Sequence, residues 1–386
     1  MKTRKMIILT AVSCIVLGTL AYFAFVFPFY EFEVNDYETS LDKILSVEYL
    51  KTLAPLLIII GLSAVGIIMT VWLRKLMLKK DKNYSRFAGR KSSSKAPKQK
   101  PVPFMIIRWA VMIVFGFMMI WGGLIFGLKM SSISIPILSC PWNTEQMTES
   151  SCYYLSHLNE LFELPIKSIL LFVGSTLLCI ILLGRAICGF LCPMGLIQDI
   201  MDKIRRKTKT DGISANEKLY SALTPIKWAM VIVFIGLCFV GGNFCNFCPA
   251  VAVSPILAGM STSLYVSGFI MIFVLIGGFF KRRLFCNICP VGYIVGLFHK
   301  VSLFRIKKDC TACTECGACY EACPMGIKQI YTERGKIDVT DTNCIMCGEC
   351  IKCCPEDKAL TLTCAGVKLY TSSRKDIMSG YKTDKK

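Results

Sequence analysis

Histidine is nearly absent: His157 and His299 are the only two in 386 residues. That scarcity excludes a multi-haem protein, whose irons usually draw axial ligands from histidine. Acids are few as well, 26 against 45 basic residues, for a formal net charge of +19. No Asp, Glu or Lys stands in the middle of the long apolar stretches, whereas an ion pump needs ionisable groups there. Arg108 lies near the end of one stretch, where its side chain is expected to snorkel to an interface. No basic patch interleaved with aromatics marks a soluble region of its own, so nucleic acid is excluded as a partner. Nor does any nucleophile, acid–base pair or open metal position suggest bond-making chemistry. An electron-transfer subunit fits these absences better than a stand-alone enzyme.

Apolar residues and cysteine are abundant. Hydrophobic residues make up 54% of the chain, above the share usual for soluble domains. Six stretches, near residues 7–29, 53–73, 104–128, 166–186, 226–243 and 263–280, are long enough to be read as membrane spans. The first follows Lys2, Arg4 and Lys5 but is too long for a signal-peptide core and shows no small-x-small cleavage site. Segment 74–100 holds eleven Lys or Arg against the single acid Asp81, and loop 185–227 is also basic. Loop 30–52 carries six acids and two lysines, and 131–165 carries four acids and no base. By the positive-inside rule both termini are expected in the cytoplasm, with the chain multi-pass in the cytoplasmic (inner) membrane.

Twenty-two cysteines occur, and most sit in tight clusters that read as metal binding rather than as a disulfide scaffold. The pattern C-x2-C-x2-C-x3-C-P appears twice, as Cys313, Cys316, Cys319, Cys323 and as Cys344, Cys347, Cys350, Cys354. In two-cluster ferredoxins the fourth cysteine of such a run ligates the other cluster. One [4Fe–4S] site is therefore expected from Cys313, Cys316, Cys319 and Cys354, and another from Cys344, Cys347, Cys350 and Cys323. Zinc would favour two separated cysteine pairs instead. Between the runs, QIYTERGKIDVTD reads as two short strands about a turn at Glu333, Arg334 and Gly335. Cys310, Cys353 and Cys364 read as spare thiols, and His299 as structural.

Three further cysteine pairs each precede a proline: Cys188 and Cys192, Cys245 and Cys248, Cys286 and Cys289. On the expected topology, Cys188, Cys192, Cys286 and Cys289 meet at the cytoplasmic face and complete one more site. Their prolines are expected to stop the preceding helices. On the outer side, Cys140, Cys152, Cys245 and Cys248 hold either a fourth cluster or, in the competing reading, a Cys140–Cys152 disulfide. His157, in the same outer loop, could contact a quinone or simply be exposed.

GRAICGFLCPMGLIQD and RRLFCNICPVGYIVGLF resemble the membrane-bound polyferredoxins of the NapH, NosR and CcoG type, a likeness covering roughly 165–360. The resemblance implies electron transfer between cytoplasmic donors and membrane or extracytoplasmic partners. A flavin-attachment domain of the NosR kind is lacking. A copper reductase or maturation factor of the CcoG kind, and a redox-sensing iron–sulfur protein, are the alternatives.

The expected fold is a membrane all-α domain of about six transmembrane helices with a C-terminal α+β two-cluster ferredoxin-like module. The expected divisions are 1–103, two helices and a basic linker; 104–304, a four-helix membrane domain; 305–365, the ferredoxin-like module; and 366–386, a basic tail. Redox proteins, a quinone or flavoprotein, and membrane lipid are the expected partners. A hydrocarbon core of ~30 Å is too thick for one comfortable electron hop, so inner and outer clusters leave a gap unless they dip inward or a quinone, flavin or partner subunit bridges it.

Overall fold

The computed structural model describes residues 47–80, 103–126, 165–210, 212, 217–240, 248–250, 252–257, 265–335 and 337–373. In chain order the elements begin with α1 (Val47–Lys80), α2 (Pro103–Phe126), α3 (Ile166–Leu183), α4 (Ala186–Phe190) and α5 (Pro193–Lys207). They continue with α6 (Glu217–Val240), α7 (Ser254–Leu257), α8 (Tyr265–Phe280), α9 (Leu284–Ile288) and α10 (Pro290–Leu297). The carboxy-terminal part contains β1 (Phe304–Lys308), α11 (Ala318–Ala322), α12 (Gln329–Thr332), α13 (Glu349–Cys353), β2 (Leu360–Cys364) and β3 (Val367–Thr371). The chain divides into two compact units, one of residues 1–95, 197–212 and 244–282, the other of 96–196, 213–243 and 283–386.

In the first unit α1 and α8 pack closely. A methyl group at Gly66 would come within 2.9 Å of the Ile276 side chain, so the missing side chain is what allows the approach. Within α1 the hydroxyls of Ser63 and Thr70 donate to the carbonyls of Ile59 and Gly66, each four residues back. Such bonds satisfy a hydroxyl inside an apolar helix. Asp199, 1% exposed, accepts from Arg282 at 2.8 Å, and Asp202 pairs with Arg205 and Arg206 one turn on.

Of the six apolar stretches, 7–29 lies outside the described residues, and the other five fall on α1, α2, α3, α6 and α8. Among the described residues, Leu53–Leu73 is the one helical segment long and apolar enough to cross a membrane, and Pro103–Met118, Ala222–Gly236 and Ser267–Phe280 are shorter apolar helices. Leu57, Ile60, Val65, Ile68 and Trp72 on α1 are exposed, as are Ile106, Ile107, Ile113, Val114 and Phe117 on α2.

In the second unit an antiparallel sheet of order β1-β2-β3 carries the C-terminal module. Ile306 of β1 faces Leu362 of β2, and both are fully buried in a core that also contains cysteines of both C-terminal runs. β3 lies beyond residue 365, so the sheet reaches into the segment expected to be tail. Among the described residues of 329–341 no full strand forms, although Ile337 and Val339 exchange backbone hydrogen bonds with β1. Gln329–Thr332 makes the helical turn α12, and Asp338 bridges β1, at Lys307. The turn buries Ile330, and Ile330 and Tyr331 line a cysteine pocket, a burial that outweighs the β pattern of this stretch.

Arg108 also departs from expectation. It does not snorkel but is 0% exposed, donating from Nε to the Gly189 carbonyl at 3.1 Å and facing Glu349 at 3.8 Å. Near it Phe104 stacks on Tyr370, with centroids 4.7 Å apart, and meets Phe190 edge-on at 5.9 Å. These contacts fasten α2 to β3 and α4.

His299 is structural, as its sequence context suggests. Only 2% exposed, it donates from Nε2 to the Val339 carbonyl at 2.8 Å, which leaves Nδ1 buried without a partner. Burial lowers its pKa below the usual 6.5, with the Val339 bond opposing. The unfolded chain therefore binds this proton more readily than the folded one. The stability His299 supports is present above about pH 6.5 and is lost as pH falls, with a slope of at most about 1.4 kcal/mol per pH unit. Denaturant unfolding at pH 7 and pH 5 is expected to show a smaller acid loss in His299→Gln than in the native chain.

Candidate iron–sulfur sites

The two C-terminal cysteine runs fold alike. In the first, Glu315 and Gly317 flank Cys316 at φ 56° and 76°; in the second, Met346 and Gly348 flank Cys347 at φ 51° and 74°. Two left-handed residues either side of the middle cysteine turn the backbone at each step, so the three sulfurs converge instead of alternating along a strand. Each run then enters a short helix, α11 or α13, capped by that second left-handed glycine. Asp309 prepares the first run by accepting from the hydroxyl and N–H of Thr311 and the N–H of Ala312. The Thr311 hydroxyl and these N–H bonds hold the Asp309 carboxyl below the usual carboxylate range.

The structure brings together the cysteines that the spacing groups. Cys313, Cys316, Cys319 and Cys354 line one pocket together with Ile330, Tyr331, Ala359 and Leu360. Burial pushes the Cys319 thiol up to about 12, with Cys316, Cys354 and Cys313 adding to the rise. In the second group burial raises Cys350 well above its ordinary value, and Cys347, Cys344 and Cys323 raise it further. Cys323 is pushed up to about 11 by burial and Cys347, against the backbone N–H groups of Ile327, Met325 and Gly326. The fourth thiol thus crosses from one run to the other, since Cys323 sits with Cys344, Cys347 and Cys350, and Cys354 with Cys313, Cys316 and Cys319. The spare thiol Cys353 is half-buried and donates to the carbonyls of Ala318 and Cys350, both at 3.3 Å. Cys310 and Cys364 are half-buried.

A third group forms where α4 and α9 approach. Burial raises Cys192, and Cys188, Cys286 and Cys289 add to the effect. Cys289 is pushed up to about 12 by burial, opposed by the Gly292 N–H, with Cys188 and Cys286 raising it as well. The prolines follow the ends of α4 and α9, as expected, and also begin the next helices. Pro193 and Pro290 open α5 and α10, where a ring lacking N–H fits a first helical turn. Each pair is therefore held in the corner between a short helix and the start of the next.

Two arginines and two glycines at this corner were not singled out by sequence reasoning. Arg185 donates from Nη2 to the Cys286 carbonyl at 2.9 Å, while Arg283 donates from Nη1 to the Cys188 carbonyl at 2.7 Å. A methyl at Gly195 would overlap the Arg283 guanidinium, and one at Gly292 would come within 3.3 Å of Arg185. The available signal was a repeat, R-x-x-C-x3-C-P-x-G at Arg185 and R-x-x-C-x2-C-P-x-G at Arg283. Each copy's arginine crosses to the other copy's cysteine carbonyl, and each copy's glycine makes room for it.

Glycines also join this corner to the second run. A methyl at Gly189 would overlap the Ile345 carbonyl oxygen, and one at Gly296 the Thr342 carbonyl oxygen. Cys188 and Cys286 accordingly share one buried core with Cys319, Cys323, Cys344, Cys347, Cys350 and Cys354. Cys140, Cys152, Cys245 and His157 lie outside the described residues, and Cys248 is half-buried in the first unit.

The donor sets fit iron–sulfide clusters. Among the described residues no trio of His, Cys, Asp or Glu converges closely enough to hold a single metal ion, although the cysteines gather in fours. Four thiols gathered at wider spacing suit a polynuclear centre. Burial disfavours bare thiolates at Cys188, Cys192, Cys289, Cys319, Cys323, Cys344, Cys350 and Cys354, and a cationic iron centre removes that penalty.

Residues 166–210 and 263–309 match a family described as "4Fe-4S binding domain", and 312–360 match a "4Fe-4S dicluster domain". Iron–sulfur binding domains of ferredoxin type are therefore present. The chain is similar to two uncharacterized proteins of Methanocaldococcus jannaschii. One is 32% identical over 157 residues, or 38% of this chain and 62% of that protein; the other is 30% identical over 149 residues, or 38% and 53%. The chain thus spans somewhat over half the length of these relatives. No solved structure matches.

Proposed function

We propose that this chain is a membrane-bound iron–sulfur protein that transfers single electrons between cytoplasmic and membrane or extracytoplasmic redox partners. The observation that carries the reading is the gathering of twelve cysteines into three groups of four, drawn from two matched domain types. Cys313, Cys316, Cys319 and Cys354 would hold one [4Fe–4S] cluster, Cys323, Cys344, Cys347 and Cys350 a second, and Cys188, Cys192, Cys286 and Cys289 a third. When bound, such a cluster supplies a one-electron couple whose potential depends on charge, hydrogen bonds to sulfur and exposure.

The protein's own residues do the rest. Ile306, Ile345, Met346, Ile351 and Leu362, each at most 2% exposed, exclude water from around the thiols. Backbone N–H groups at Gly195, Gly292, Met325, Gly326 and Ile327 lie beside Cys192, Cys289 and Cys323 and favour the anionic form of these thiols. Gly189 and Gly296 let two of the groups approach backbone to backbone.

Membrane residence is supported by Leu53–Leu73 and by the exposed apolar side chains of α1 and α2. Six spans, cytoplasmic termini and a fourth outer cluster at Cys140, Cys152, Cys245 and Cys248 belong to the same reading. Carbonate-washed membranes are expected to retain the protein. In them a membrane quinol or flavoprotein donor is expected to reduce the iron–sulfur signals repeatedly, through many cycles of oxidant addition. A protein extracted by carbonate would defeat the membrane reading, and one reduced once without sustained turnover would point to a sensor. Cys140→Ser with Cys152→Ser is expected to lower iron content; unchanged iron would place a disulfide there.

A further inference from the structure

Burying a guanidinium is costly unless a negative charge lies beside it. Arg185 is 1% exposed, yet its hydrogen bonds go to neutral acceptors: the Cys286 carbonyl at 2.9 Å, the Thr342 carbonyl at 2.7 Å and Asn343 Oδ1 at 3.3 Å. Its Nε is buried without a partner. The Cys188 thiol stands beside it: a methyl at Gly292 would lie 3.3 Å from Arg185 Nη2 and 3.8 Å from Cys188 Sγ. Arg283, also fully buried, stands on the other side of the same group, with Nη1 at 4.0 Å from Cys286 Sγ. The arrangement is reciprocal, and neither arginine lies in a solvent-screened position.

We propose that Arg185, braced reciprocally with Arg283, is a positioning residue that sets the redox potential of the Cys188, Cys192, Cys286 and Cys289 site by holding a buried cation beside its sulfurs. The inference rests on the assignment of a cluster to that site. A tetrathiolate cluster is an anion and gains a further negative charge when one electron is added, so a fixed adjacent cation favours the reduced form and raises the potential. Low dielectric strengthens the effect, because little water can reorient to replace the guanidinium. The hydrogen bonds to Thr342 and Asn343, which directly precede Cys344, hold the guanidinium in place from the C-terminal module.

The test is a redox titration of the anaerobically purified full-length chain, followed by electron paramagnetic resonance, with iron counted per chain. Cys188→Ser identifies which signal belongs to the site. In Arg185→Gln that signal is expected to remain but to shift, so that at a fixed ambient potential its reduced-to-oxidised ratio falls at least tenfold, ~59 mV for a one-electron couple. The other signals are expected to stay in place. Arg185→Lys, which keeps the charge but not the fork, is expected to hold the ratio within about threefold of the native value. An Arg185→Gln protein with full iron and an unmoved ratio overturns the proposal. So does an Arg185→Lys protein that shifts as far as the glutamine variant. Should the glutamine variant lose the site's iron, the lysine variant decides alone: an assembled site within threefold supports the proposal, and a tenfold fall overturns it. A Cys188→Ser chain that loses no iron sinks the cluster assignment itself, a failure distinct from an unmoved potential.

Discussion

Replacing Cys350 by serine is expected to remove about four irons per chain and abolish one paramagnetic signal, while the signal of the Cys313 group survives. Cys350 is buried beside Cys347, Cys344 and Cys323, and it begins the turn of α13 that also carries the fully buried Ile351. A serine hydroxyl is a harder and shorter donor, and with no iron to bind it would be left in an apolar core. The effect should therefore reach beyond redox behaviour, since metal binding to a site absent from the unfolded chain is itself folding free energy. Cys353→Ser is the control. That thiol donates to two carbonyls, as a serine can, and its iron content is expected to match the native protein. Iron and labile sulfide assays with spectra of both variants check the pair. Equal iron in Cys350→Ser and the native chain would remove Cys350 from the ligands.

The second large effect is expected at Gly189, a position bearing no reactive group. Its would-be Cβ overlaps the Ile345 carbonyl oxygen, with the Ile345 carbonyl carbon at 3.3 Å and the Cys347 nitrogen at 3.7 Å. These are backbone atoms of the second cysteine run, so no side-chain rotation can make room. Gly189→Val is expected to cost about 3 kcal/mol or more, at the upper end of overpacking losses, and to disturb the signals of both the Cys188 and Cys344 groups. Gly335→Ala, with no atom within 4 Å of the added methyl, is expected to stay within about 0.5 kcal/mol of the native chain. Denaturant unfolding alongside spectra separates the two. Native stability in Gly189→Val would mean that the third cysteine group is not docked on the C-terminal module.

How much of this was legible in the chain follows from the range of each signal. The C-x2-C-x2-C-x3-C-P spacing is local, and it was enough to group all eight C-terminal cysteines, including the exchange of Cys323 and Cys354 between runs. Apolar length located the five described helices, because a long unbroken hydrophobic run has few other folded states. The turn at Gln329–Thr332 was misread because its alternating pattern is short and the burial of Ile330 is decided by a cavity built from distant residues. Arg108 was misread for a related reason. A charge near a helix end ordinarily finds water, whereas the Gly189 carbonyl and Glu349, both far away in sequence, help make its burial tolerable. Pro193 and Pro290 were legible as helix stops, but not as the first residues of α5 and α10, since a proline ends one helix and opens the next equally well. The reciprocal use of Arg185 and Arg283 lay in the repeated R-x-x-C…C-P-x-G pattern, yet the crossing itself is tertiary and no single copy contains it.

The central claim is that twelve gathered thiols hold iron–sulfide rather than protons, zinc or one another. Quantifying iron and acid-labile sulfide per chain after oxygen-free purification in detergent tests it most directly. The account predicts about twelve or more of each, in equal amounts, rising to about sixteen if the outer cysteines hold a fourth cluster. A colourless protein with zinc bound and no labile sulfide would contradict it.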